Sequence, residues 1–218
     1  MATGQFKESN MIRLYGTPRS RALRVSWLLE ELELPWEFHF VDMAKQQNRT
    51  PEFLALNPCG KIPVLEDDGL ILTESAAIML YLAERYGEGR LLPKPGTAAS
   101  GHHHQWLSFV ITELEQPLWT MGKHRFALPE QQRVAAIQAT AVWEFNKAAA
   151  IAEQWLPDSP FLLGDELTVA DILLAHTLNW ATIFEQQIPP KLAVYRDRLN
   201  LRPAMKKALD KASANLTD

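Results

Sequence analysis

Thr17 and Ser20 stand three residues apart, between the apolar run Met11-Ile12-Arg13-Leu14-Tyr15 and a stretch with helical periodicity. A hydroxyl at the start of a helix can hold an anion with a hydrogen bond and with the positive end of the helix dipole. The same hydroxyls can instead cap the helix, and Ser20 is well placed to do so. The spacing is that of a CxxC redox pair with oxygen replacing both sulfurs. A second helix opens at Glu74-Ser75. Its unpaired N–H groups suit a carboxylate, and the Glu74 side chain suits an ammonium. The alternative is a plain capping serine beside a glutamate that favours the helix dipole. Between these helices runs Asn57-Pro58-Cys59-Gly60-Lys61-Ile62-Pro63, which places a cation, Lys61, two residues before a proline. Gln47 and Asn48 lie in a polar loop upstream.

Two tempting readings fail on the residues themselves. Cys59 is the only cysteine, which excludes an intramolecular disulfide, a CxxC pair and a multi-cysteine zinc site. It has no evident base beside it and reads as an inert loop residue. His102, His103 and His104 are consecutive. Neighbours on a helix point about 100° apart, so three in a row cannot converge on one ion, and no metal site is expected.

The elements that must position these groups follow from the rest of the chain. Its 218 residues are 47% hydrophobic, enough for a core and no case for global disorder. The formal charge of -4 lacks the basic excess of a nucleic-acid binder. No run approaches the roughly 18 apolar residues of a membrane span. The opening MATGQFKESN is polar and lacks the apolar stretch of a signal peptide, so residues 1–10 read as a flexible tail and the protein as soluble and cytoplasmic.

The strand at Met11–Tyr15 is followed by Ala22, Val25, Leu29 and Leu32 at helical spacing, and then by an aromatic and β-branched strand from Trp36 to Val41. This is a βαβ unit with parallel strands. Ile62 to Leu65 is a third strand, Asp68-Gly69 a hairpin turn, Leu70 to Leu72 a fourth strand, and Ser75 to Tyr86 a helix. The order predicts an α/β, thioredoxin-like domain over residues 11–90. Leu91 to Gly96, with two prolines and a glycine, reads as a linker. Beyond it only helical patterns remain, over Thr97–Thr120, Pro129–Trp155, a helix capped by Thr168 with Asp171 three residues on, Lys191–Asn200 and Pro203–Ala212. Residues 97–218 are therefore expected to form an all-α C-terminal domain.

The stretches LYGTPRSRALRV (14–25), NPCGKIPVLED (57–67), LTESAAIMLYLAERY (72–86) and LTVADILLAH (167–176) together resemble the cytosolic glutathione transferase superfamily. The likeness runs from Met11 to Ala212 and is nearest to bacterial members close to the serine-type theta and zeta branches. It implies a cis peptide between Ile62 and Pro63, with the Ile62 backbone pairing the cysteinyl residue of glutathione like an added strand. It implies that Glu74 and Ser75 hold the γ-glutamyl group, and that Lys61, with Asn48 or Gln47, meets the glycyl carboxylate. Ser20, with Thr17 as the alternative, would stabilise the thiolate of glutathione, the cosubstrate. A helical-domain cleft near Phe109, Glu113, Met121 and His124 would take the electrophile. The implied activity is glutathione transfer to a small hydrophobic electrophile or reduction of a peroxide. The alternatives are a non-catalytic binding or regulatory protein and a glutathione-dependent isomerase or dehalogenase. The resemblance also implies a homodimer, with neither nucleic acid nor membrane as partner.

Overall fold

The computed structural model describes residues 11–214, so the expected tail at 1–10 lies outside the described residues. The chain forms two compact units, one reaching to Glu88 and resuming at Arg202, the other spanning Gly89–Leu201.

The first unit is built on a sheet of β1 (Ile12–Gly16), β2 (Trp36–Phe40), β3 (Val64–Asp67) and β4 (Leu70–Thr73), in the order β2-β1-β3-β4. β1 and β2 are parallel, and β3 is antiparallel to both β1 and β4. In β1, Ile12 and Leu14 are buried while Arg13 is exposed, the alternation of a half-covered strand. Helix α1 (Ala22–Glu31) crosses between the parallel strands. It buries Ala22, Leu23, Val25, Trp27, Leu28 and Leu29, nearly its whole circumference, as a core helix must. Gly16 lets it start tight against β1, because a Cβ there would lie 2.4 Å from the Cβ of Ala22. Helix α2 (Pro51–Leu56) is capped by the Thr50 side chain, which accepts from the Phe53 N–H. Asp68 and Gly69, at φ 50° and 81°, form the β3–β4 turn, and α3 (Ser75–Tyr86) follows β4.

The second unit is helical. Thr97 caps α4 (Ala98–Phe109) by accepting the Ser100 N–H at 3.2 Å. The helix then runs through a π segment at Val110–Glu115, through α5 (Gln116–Gly122), and through a second π segment at Lys123–Ala127. The expected helix over 97–120 therefore extends further and is interrupted. The one expected over 129–155 starts later, as α6 (Ile137–Trp155), after a short 3-10 turn at Glu130–Gln132. Helices α7 (Val169–Ile183) and α8 (Pro190–Asn200) complete the unit. Leu91, expected in a linker, is buried, and its carbonyl accepts the Val169 N–H at 3.0 Å.

The last helix, α9 (Pro203–Ala214), was expected in the C-terminal domain but packs on α1 in the first unit. Arg202 donates to both carboxylate oxygens of Glu31, at 2.6 and 2.8 Å. The Lys211 ammonium lies 4.1 Å from the centre of the Trp36 ring, whose Nε1 donates to Glu30 at 2.8 Å. α1 carries these acids at its end and so attracts a basic amphipathic helix distant in sequence.

Of the three histidines only His103 is buried, and its Nε2 has no partner among the described residues. No metal-binding group of side chains occurs among the described residues. Burial first, then the neighbouring His104, pushes the His103 imidazole down from 6.5 to about 4. Between these values the unfolded chain binds a proton that the folded chain does not. Stability from this site is thus complete above pH 6.5 and declines as pH falls toward 4, by on the order of 3 kcal/mol. In urea unfolding of the intact chain, His103→Leu is expected to flatten the loss of stability across that window. An unchanged pH slope would reject His103 as its source.

Candidate functional site

The chemistry-bearing residues of the first unit lie at the ends of its strands and the starts of its helices. Ile62–Pro63 is a cis peptide. The Ile62 side chain packs on the cluster of Val41, Phe53 and Val64. Its N–H and carbonyl have no hydrogen-bond partner among the described residues. A free donor and acceptor on one residue ahead of β3 are what an extended peptide needs to pair as an added strand.

The loop carrying Ile62 is braced from below. Asn57 donates to the Lys61 carbonyl at 2.8 Å and accepts the Cys59 N–H at 3.0 Å. Asn48 is buried and donates to the Gly60 carbonyl at 2.7 Å. Gly60 has φ +61°, and a Cβ there would lie 2.7 Å from Arg49 Nη1 and 2.9 Å from the Asn48 carbonyl oxygen. Only glycine allows this approach. The Gln47 side chain accepts the Asp42 N–H at 2.7 Å. Asn48 and Gln47 are thus both engaged within the protein, whereas Lys61 is exposed and its ammonium has no partner among the described residues. Arg49, which the sequence reading passed over, touches the same loop through the Cys59 carbonyl at 3.4 Å. Cys59 is exposed and free.

Glu74 joins β4 to α3 with φ 63° and ψ 103°, a conformation an L side chain rarely adopts. Such strain persists only where the surroundings impose it, and it concentrates at ligand sites. The Glu74 carboxylate is exposed and does not cap the helix. Ser75 is buried, and Arg24 Nη1 approaches its Oγ at 3.4 Å. Arg24 is 1% exposed, a cation set in the apolar face of α1. It adds positive potential to the first turn of α3, where the helix dipole already favours an anion. Its signal was a lone arginine inside an apolar helical stripe.

At the start of α1 the two hydroxyls differ. Ser20 Oγ donates to the Thr17 carbonyl at 2.7 Å and accepts the Ala22 N–H at 3.1 Å. Its proton is committed to shaping the turn. The half-buried Thr17 hydroxyl has no partner among the described residues and is free to donate. Tyr15 donates to Glu66 Oε2 at 3.0 Å, and burial first, then Glu66, pushes its phenol above 10.0. It stays a protonated, packed side chain.

The four residues expected around an electrophile each have partners of their own. Phe109 stacks among Trp106 and Trp155, with ring centres 6.2 and 4.7 Å away. Met121 is fully buried. His124 Nδ1 accepts the Val134 N–H at 3.0 Å. Glu113 lines a cavity of about 300 Å³ with Trp143, Lys147 and Ile151. Elsewhere in this unit the rings of Trp119, Trp180, Phe184 and Phe126 lie in successive contact.

A thioredoxin-like sheet with a free backbone donor and acceptor ahead of β3, together with a helical unit, defines the fold class of the transferases described next. Residues 10–84 match the family description "Glutathione S-transferase, N-terminal domain", and residues 115–203 match "Glutathione S-transferase, C-terminal domain". The chain is 34% identical over 206 residues to the Escherichia coli glutathione S-transferase GstB, covering 91% of this chain and 98% of that one. It is 33% identical to the E. coli disulfide-bond oxidoreductase YfcG, over 93% of this chain and 96% of that one. It superposes with a TM-score of 0.82 on a glutathione transferase homologue from Lodderomyces elongisporus solved with two GSH per subunit, at 28% identity, covering 92% and 98% of the two chains. The chain belongs to the glutathione S-transferase family.

Proposed function

We propose that the chain binds glutathione on its first unit and activates its thiol for attack on a small hydrophobic electrophile. The observation that carries this reading is the unpaired Thr17 hydroxyl in the turn that leads from β1 to α1. The cysteinyl residue pairs with the Ile62 backbone. Ser75 and the first turn of α3 take the γ-glutamyl carboxylate, Glu74 takes its ammonium, and Lys61, joined by Arg49, takes the glycyl carboxylate. The thiol gives its proton to water, and Thr17 donates to the resulting thiolate. With an aryl halide, the carbon–sulfur bond forms and the halide leaves with the bonding pair. Ser20 holds the turn rather than the sulfur, and Asn48 and Gln47 hold the loop. The protein acts in the cytoplasm as a homodimer; light scattering at the monomer mass would overturn the latter.

Two relatives favour a second reaction on the same site. One is named a disulfide-bond oxidoreductase, and another was solved with two GSH per subunit. A thiolate attacks a disulfide, one thiol leaves, and a second glutathione resolves the mixed disulfide to give oxidised glutathione. This balances without a protein thiol. A glutathione-dependent panel of aryl halide, hydroperoxide and disulfide decides between them. No binding at millimolar glutathione would overturn both in favour of a non-catalytic family member.

Glu74→Gln keeps shape and removes charge. It is expected to raise the KM for glutathione roughly tenfold, the scale of one charge-assisted hydrogen bond, with kcat at saturation near wild type. An unchanged KM would remove Glu74 from the site.

A further inference from the structure

The turn that carries Thr17 also holds a residue that its backbone does not favour. Thr17, Pro18, Arg19 and Ser20 form a tight turn between β1 and α1, closed by the Ser20 N–H on the Thr17 carbonyl at 3.3 Å. Its third residue, Arg19, has φ 61°. Proline at the second position and a positive φ at the third are the pattern of a type II turn, where glycine or asparagine ordinarily stands third. A long side chain is strained there, and such strain concentrates at functional positions.

Arg19 is exposed, and its guanidinium has no partner among the described residues. Nearby arginines are placed differently: Arg13 pairs with Glu66 at 3.1 Å, and Arg24 is buried. No acidic residue occurs from Met11 to Leu29. Two residues of chain span at most about 7 Å, so the Arg19 guanidinium is within reach of a sulfur held by the Thr17 hydroxyl. Attack by that thiolate on a neutral acceptor makes no use of the cation. Attack on a disulfide that bears carboxylates brings anion to anion. A guanidinium that binds the carboxylate through its fork of N–H groups relieves the repulsion.

We propose that Arg19 makes disulfides with a carboxylate near the sulfur the favoured acceptors of the glutathione thiolate. The inference rests on the reading that Thr17 holds that thiolate. It goes further by naming the acceptor class and the residue that selects it. The thiolate attacks one acceptor sulfur and forms a new sulfur–sulfur bond, while the other sulfur leaves with the bonding pair and takes a proton from water. A second glutathione thiolate attacks the glutathione sulfur of the mixed disulfide, giving oxidised glutathione and the second acceptor thiol. The acceptor gains two electrons, two glutathiones lose one each, and their two protons end on the two acceptor thiols.

Dithiodipropionate and bis(hydroxyethyl) disulfide are similar in size and differ in charge. In glutathione-dependent reduction, coupled to glutathione reductase and corrected for the uncatalysed rate, kcat/KM is expected to be about tenfold higher for the dicarboxylate. The preference should shrink as salt screens an exposed charge. Arg19→Gln is expected to bring the ratio near one. Arg19→Gly, which suits the turn, is expected to do the same with a melting temperature no lower than wild type. Equal rates on the two disulfides in the wild type, a ratio that Arg19→Gln leaves intact, a glutathione-binding chain that reduces neither disulfide, or a lower melting temperature in Arg19→Gly overturns the proposal. Calorimetry separates this from the reading beneath it. No binding of millimolar glutathione to the wild type ends both, whereas normal binding with equal rates on the two disulfides ends only the role of Arg19.

Discussion

Thr17→Val is expected to cut glutathione turnover on the order of twentyfold at neutral pH while glutathione still binds. A cysteine-type thiol ionises near 8.5, so only a few per cent is thiolate at pH 7. Lowering that value by about two units takes roughly 2.7 kcal/mol of preference for the anion, the reach of one hydroxyl donor plus a helix N-terminus in a partly desolvated site. Thr17 is half-buried in the turn that leads into α1, with a hydroxyl proton that nothing else in the described structure claims. Valine matches its shape and removes only the donor. The deficit should therefore shrink as pH rises through about 8.5, where free glutathione ionises unaided. Titrating the thiolate's ultraviolet absorbance in the binary complex reads the shift directly. Ser20→Ala should behave differently. It removes the acceptor of the Ala22 N–H and the donor to the Thr17 carbonyl. It should cost about 1 kcal/mol of stability, the usual scale of a lost cap, and less activity than Thr17→Val. A large defect in Ser20→Ala beside a normal Thr17→Val would reverse the roles. Normal turnover in both would end the hydroxyl account.

The parts of this site legible in the sequence are those with local causes. A βαβ unit announces itself through a strand, a helical stripe and a second strand. Glu74-Ser75 and Ile62-Pro63 are contiguous pairs whose roles depend on their own backbone. The groups that escaped depend on partners far along the chain. Arg24 and Ser75 are 51 positions apart, and Arg202 and Glu31 are 171 apart. No periodicity connects them. α9 could be read as an amphipathic helix but not assigned to a face, because the acids and rings that receive it lie on α1 and β2. Asn48 shows the same limit. A polar residue in a polar loop reads as available to a ligand, yet its amide is spent on the Gly60 carbonyl. The two π segments, one before α5 and one after it, shift the helical register along this stretch. The set Phe109, Glu113, Met121 and His124 was implied by the resemblance alone, and no count at helical spacing holds across these segments. The contact of Trp119 with Trp180 shows the same limit, since one ring lies on α5 and the other on α7.

The largest expected loss of stability lies away from the chemistry, at Asp171. Its side chain is fully buried, and four donors converge on it. The Leu162 N–H arrives at 2.8 Å, the Thr168 N–H at 2.7 Å, the Thr168 hydroxyl at 2.6 Å, and the Tyr195 hydroxyl completes the set. The Thr168 contact is the return half of a capping box at the start of α7, and the others tie the 161–164 turn and α8 to the same carboxylate. Burial pushes the Asp171 carboxyl up, and the four hydrogen bonds pull it back. Burial, then Asp171 itself, pushes the Tyr195 phenol far up, so it remains a donor. Asp171→Ala leaves these donors in a dry interior at roughly 1–3 kcal/mol for each that finds no substitute. A net loss on the order of 4 kcal/mol is expected in urea unfolding, with the residues proposed to hold glutathione untouched. Tyr195→Phe removes one donor and leaves its acceptor satisfied by three others, so it should cost only about 1 kcal/mol. Asp171→Asn separates the two possible causes. It fills the cavity but offers one acceptor atom and turns an amide N–H₂ toward donors. A loss close to that of Asp171→Ala assigns the stability to the converging hydrogen bonds. A loss near zero would assign it to packing alone.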